Sequence, residues 1–185
     1  MTCPFKFKQF KIDLSRQVIL EIEMKLDNEQ VVRRAYQVAE DKDMAGWVAA
    51  FTDEGSFTDE SIGVTWTGPD ELPEQVENYA RAFPDLRREL RQLYVSGNIV
   101  VVQLALKGTH RGPLHLPAGT LPPTGKPIDA PCCSVFELAD GKIKRLDSYP
   151  ACMVILTQLG VIDNLGDVFE RGQASSFIAS PFITG

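Results

Sequence analysis

Residues 98–112, "NIVVVQLALKGTHRG", decide the fold. Val100, Val102, Leu104 and Leu106 alternate with Val101, Gln103, Ala105 and Lys107. A period of two marks a strand, and the fully apolar set belongs against a layer of helices. The same count carries Gly108 and His110 to the inner face and leaves Thr109 outside. An inward histidine at a strand end has two readings. It is a pocket acid, base or donor poised near neutral pH, or a structural imidazole hydrogen-bonded at the strand end.

Three further stretches read as long strands: residues 86–95, 126–138 and 142–149. In the second, Cys132, Ser134, Phe136 and Leu138 form the inner set, because Glu137 belongs with Cys133 and Val135 outside. Cys132 then reads as a small core residue, with no basic neighbour in sequence to make it a nucleophile. In 142–149, Leu146 and Ser148 share one face; Ile143, Arg145, Asp147 and Tyr149 share the other. Arg145 and Asp147 are spaced to pair on an outer face, worth about 0–1 kcal/mol. The Pro/Gly-rich "GPLHLPAGTLPPTGK" (112–126) reads as a loop.

Helical signals precede these strands. "NEQVVRRAYQVAEDKD" (28–43) offers Asn28 as N-cap and an apolar face of Val31, Val32, Tyr36 and Val38. "MAGWVAAF" (44–51) follows, then two short strand candidates, "GSFTDE" and "VTWTG". "GPDELPEQVENYARAF" (68–83) reads as a third helix that Pro84 ends. A last helix around 151–160 stops at Gly160. Helices, then a run of strands, then a short helix predict an α+β fold, with helices covering one face of an antiparallel sheet.

Residues 1–27 form an N-terminal extension. Its alternation of Val18, Leu20, Ile22 and Met24 suggests a strand; alternatively the segment packs loosely and the domain opens at Met24. It makes a poor signal peptide. Residues 163–185 form a weakly periodic C-terminal tail. The chain has 185 residues and a net charge of −6, so nothing in its bulk charge attracts nucleic acid or an anionic membrane. With four cysteines and two histidines and no CxxC pair, a metal site is not expected. Reduced cysteines in a cytoplasmic protein are the simplest expectation.

In this order, "FPDLR" (83–87), "GTHRG" (108–112), "PPTGK" (122–126), "DGKI" (140–143) and "QLG" (158–160) resemble the SnoaL-like polyketide cyclases and ester cyclases of the nuclear transport factor 2-like superfamily. The resemblance covers residues 28–162. It implies a cone-shaped barrel, a strongly curved antiparallel sheet wrapped around the N-terminal helices and enclosing an apolar pocket. It also implies a homodimer and acid–base chemistry on carbonyl substrates without a cofactor. Aligning "DGKI" puts the cyclases' catalytic aspartate on Ser148 and their assisting histidine on Ser134, so neither residue is retained. An aspartate common among relatives falls on Ala151.

Residues 31–60 also resemble the ketosteroid isomerases of that superfamily. Their general-base aspartate falls on Asp59. Their oxyanion-hole tyrosine falls on Ala35, with Tyr36 about 100° further round the helix, and their second aspartate falls on Ser134. Asp59 is also open to a plainer reading as the cap of a turn.

The resulting expectation is an isomerase, cyclase or hydratase with Asp59 and His110 as catalytic residues, acting on a small apolar carbonyl-type molecule. Tyr36, Phe57, Leu104, Leu106, Cys132, Ser134, Phe136 and Ser148 are expected around the substrate. The alternative is a ligand-binding or interaction domain without turnover.

Overall fold

The computed structural model describes the backbone of residues 6–162 and the side chains of residues 16–23 and 27–162. The elements are α1 (Lys6–Glu40), α2 (Met44–Ala49), β1 (Phe51–Asp59), β2 (Val64–Thr67), α3 (Gly68–Ala82), β3 (Arg87–Ser96), β4 (Ile99–Thr109), β5 (Leu114–Leu116), β6 (Gly119–Leu121), β7 (Pro127–Ala139), β8 (Lys142–Pro150) and α4 (Cys152–Gln158). The tail at 163–185 lies outside the described residues.

The strand expected before residue 28 is instead helix. α1 runs unbroken through that position, and Asn28 is an interior residue whose Nδ2 donates to Gly97 O at 2.9 Å rather than an N-cap. Val18, Ile19, Leu20 and Ile22 are all exposed there, so the apolar alternation does not report burial. No strand of the sheet pairs with this segment. α2 begins as a capped helix should: Asp43 Oδ1 accepts from Gly46 N at 2.9 Å. α3 buries Leu72, Gln75, Val76, Tyr79 and Ala82 along one helical face.

A six-stranded sheet has the order β2-β1-β8-β7-β4-β3. Every neighbouring pair is antiparallel except β1 with β8, which is parallel. The expected all-antiparallel sheet is corrected at that one seam. The sheet is open, with β2 and β3 as edges, rather than closed into a barrel. Part of the expected loop 112–126 folds as a small hairpin, β5 with β6.

The inner faces of β4 and β7 follow the sequence count: Val100, Val102, Leu104, Leu106, Cys132, Ser134, Phe136 and Leu138 are all buried. β8 departs from it. Ile143 is buried together with Leu146, because the register against β7 slips between Glu137 and Leu138. The extra residue of a β-bulge flips the alternation. Arg145 Nε and Asp147 Oδ2 lie 3.1 Å apart on the outer face.

Candidate active site

The register lines up the inner side chains in lateral rows. Asp59 on β1 stands opposite Ser148 on β8, Ser148 opposite Ser134 on β7, and Ser134 opposite Val102 on β4. Two residues along the strands, Cys132 pairs with Leu104; beyond them Leu106 pairs with Arg88 on β3. Helices α1 and α3 close the space above these rows with Tyr36, Gln75 and Tyr79.

Between these layers lies a cavity of about 40 Å³, lined also by Trp47, Phe57, Leu146 and Pro150. That is room for roughly three waters, so in this state the cavity is nearly closed. A wider groove of about 500 Å³, lined by Ile62, Trp66, Asn78 and Leu116 among others, shares Gln75 and Tyr79 with it. Those two side chains form the wall between the groove and the cavity.

Asp59 is 1% exposed. Ser61 donates to its Oδ1 twice, through the backbone N–H at 3.0 Å and the hydroxyl at 2.6 Å. The turn-capping role is therefore real, and both bonds from Ser61 use Oδ1. Burial nevertheless dominates and pushes the carboxyl above its ordinary value; the bonds from Ser61 and Ile62 counter only part of that. A carboxylate held this way is a better proton acceptor than a solvated one.

Tyr36 is 6% exposed and lines the cavity. The turn from Ala35 to Tyr36 does not carry it away: Ala35 is fully buried core, and Tyr36 takes the cavity wall. Its Oη makes no close hydrogen bond, and the Ser134 hydroxyl is the looser neighbour that acts on it. Burial pushes its pKa up, so the phenol stays protonated and remains a donor. Its ring meets Phe136 edge-on at 5.5 Å and carries the Arg88 guanidinium over its face at 5.7 Å.

Ser134 and Ser148 hydroxyls are 3.3 Å apart, and Cys132 Sγ lies 3.4 Å from Ser148 Oγ. They form a chain of weak donors and acceptors on the cavity floor. Burial raises the Cys132 thiol pKa, which fits a core thiol rather than a nucleophile.

The structure does not bring His110 to this cavity. It is fully buried at the end of β4, stacked on Phe83 with ring centres 5.2 Å apart. Thr124 N donates to its Nδ1 at 3.2 Å, which assigns the ring proton to Nε2. Its backbone N–H bonds Lys126 O, and its carbonyl accepts from Gly125 N. These contacts match the structural reading of a strand-end histidine that pins the loop before β7. Phe136 is also behind the wall rather than in it, whereas Tyr36, Phe57, Leu104, Leu106, Cys132, Ser134 and Ser148 all line the cavity with Asp59.

Sequence reasoning missed Arg88, Gln75 and Tyr79. Gln75 and Tyr79 share the helical face of Leu72 and Val76, a spacing visible in sequence. Arg88 was masked by a bulge between Leu90 and Gln92. Counting back in twos from Leu90, and not from Leu93, puts Arg88 inside.

Comparison with known proteins places this architecture. No curated protein matches the chain. A provisionally named SnoaL-like polyketide cyclase from Jannaschia sp. CCS1 is 22% identical, with a TM-score of 0.66 over 74% of this chain and 93% of that one. A protein with a ketosteroid isomerase-like fold from Catenulispora acidiphila DSM 44928, solved with trimethylamine, is 16% identical, with a TM-score of 0.61 over 70% and 92%. An LEH-like epoxide hydrolase from M. tuberculosis is 12% identical, with a TM-score of 0.56 over 73% and 90%. At these identities the likeness is one of fold. The family model of the SnoaL-like domain matches residues 32–146, more than half of the chain and the whole span from Tyr36 to Leu146. The chain belongs to the SnoaL-like domain family.

Proposed function

We propose that this protein is an acid–base enzyme that isomerises, cyclises or hydrates a small carbonyl-type molecule, with Asp59 as general base. The observation that carries the reading is a buried carboxylate of raised pKa sharing a cavity with an unpartnered, protonated phenol. Proton abstraction beside a carbonyl needs a base and a donor where negative charge develops. Asp59 supplies the first, Tyr36 Oη the second, and Ser134 and Ser148 add weaker hydrogen bonds; the chemistry calls for no cofactor. His110 has no part in it. The names of the structural neighbours, polyketide cyclase and epoxide hydrolase, fit a carbonyl or epoxide substrate. Substrate enters from the outer groove when Gln75 and Tyr79 turn aside. The bulges in β1, β3 and β8 support a sheet that curls round the helices as a cone.

A second reading, binding without turnover, is favoured by the serines at both cyclase acid–base positions, Ser134 and Ser148. Exchange of the carbon-bound protons of levulinate in deuterium oxide, followed by NMR, separates the two. Wild-type protein accelerates exchange, and Asp59→Asn lowers the rate by about 10²–10⁴-fold. An exchange rate that Asp59→Asn leaves unchanged rules out Asp59 as the base.

A further inference from the structure

We infer that the cavity takes a small substrate bearing a carboxylate, which the Arg88 guanidinium holds while the enolisable carbon faces the Asp59 end. The inference rests on reading this cavity as the active site and names its substrate class.

Arg88 points inward from edge strand β3, opposite Leu106, and lines the cavity. The surface cations Arg33, Lys107, Lys144 and Arg145 each pair with a carboxylate. Among the described residues the Arg88 guanidinium has no such partner and bonds no acceptor. Glu40, the acidic group nearest to it in effect, instead accepts at Oε1 from the Arg88 backbone N–H. The side chain is half-buried; burial works against the guanidinium's charge and Glu40 offsets only part of that, so a second negative group beside it is favourable.

The neighbouring donor is also unsatisfied. Tyr36 Oη makes no close hydrogen bond, with only a loose one to Ser134, and its ring lies under the guanidinium at 5.7 Å. Two unpaired donors on one wall match the acceptor oxygens of a carboxylate and an adjacent carbonyl. Arg88 and Asp59 do not pair with each other. They stand on β3 and β1, which β4, β7 and β8 separate, and Cys132 on β7 and Tyr79 on α3 feel both charges. A substrate therefore meets a fixed positive charge at one end and the base at the other, and the cavity size restricts it to a few heavy atoms unless the Gln75–Tyr79 wall opens. An inward charge on an edge strand also discourages edge-to-edge association, but that role needs neither the cavity nor the free phenol.

Calorimetric or NMR titration of the full chain with levulinate and with methyl levulinate tests the proposal. Wild-type protein binds the acid more tightly than the ester by on the order of tenfold to a hundredfold. Arg88→Met brings the acid down to the ester's affinity and leaves the ester unchanged, while Arg88→Lys retains part of the preference. If Arg88→Met does not fold, the acid–ester preference of the wild type and its reduction in Arg88→Lys carry the test. Wild-type protein that binds both equally, or neither, overturns the proposal. Acid preference together with exchange indifferent to Asp59→Asn leaves the carboxylate site standing and removes the assigned base. Exchange that needs Asp59 but shows no acid preference does the reverse.

Discussion

A buried phenol without a hydrogen-bond partner weakens a fold, because its hydroxyl leaves water and gains nothing. Tyr36 is close to that position, with no hydrogen bond of good geometry and only a loose contact to Ser134. Tyr36→Phe should therefore be at least as stable as the wild type in urea unfolding, gaining up to about 1–3 kcal/mol. The same variant should lose about 10²–10³-fold in exchange rate if Tyr36 stabilises the developing oxyanion. A less stable variant with its full rate would make Tyr36 a packing residue. Asp59 was legible in sequence because the isomerase alignment falls on it. Arg88 was not, because one bulged residue hides its side of the strand. His110 shows the limit of a face count: period two sends it inward correctly, but inward at a strand end leads to Phe83 and Thr124 instead of the cavity.

Among the elements, β4 is fixed at its far end by a close backbone contact. Arg111 N and Gly112 N both donate to Ala82 O, at 2.9 and 3.1 Å, tying the end of α3 to the loop after β4. A Cβ on Gly112 would clash with Arg81 O, so only glycine fits without moving backbone. Gly112→Ala should cost about 1–3 kcal/mol of overpacking, read as a lower thermal midpoint. A midpoint within error of wild type would show that the contact yields. A bulge interrupts the alternation in β3 and β8, whereas the inner faces of β4 and β7 were legible because each carries its own. The start of α1 was not: its exposed apolar residues alternate over a few positions without any strand to pair with, and only the continuous helix identifies them. The β5–β6 hairpin was hidden in a Pro/Gly-rich stretch because three-residue strands carry too few positions for a period to show.

For the molecule as a whole, the α+β order of elements followed from sequence, while the parallel β1–β8 seam did not. That pairing joins strands far apart in the chain, and no local pattern encodes it. Two buried groups of this sheet affect stability with pH in opposite senses. His110 has its pKa lowered, chiefly by burial; its contribution is present above its unfolded value near 6.5 and is lost as pH falls through the folded one. Asp59 has its pKa raised, so the folded state holds its proton more tightly than the unfolded chain, and stability falls as pH rises from 3.8 through the folded pKa. The central claim is that this buried carboxylate is a base of raised pKa, and an NMR titration of the Asp59 carboxyl group in the full chain, assigned with Asp59→Asn, tests it most directly. The account predicts a midpoint clearly above the ordinary 3.8; a midpoint at or below that value would contradict it.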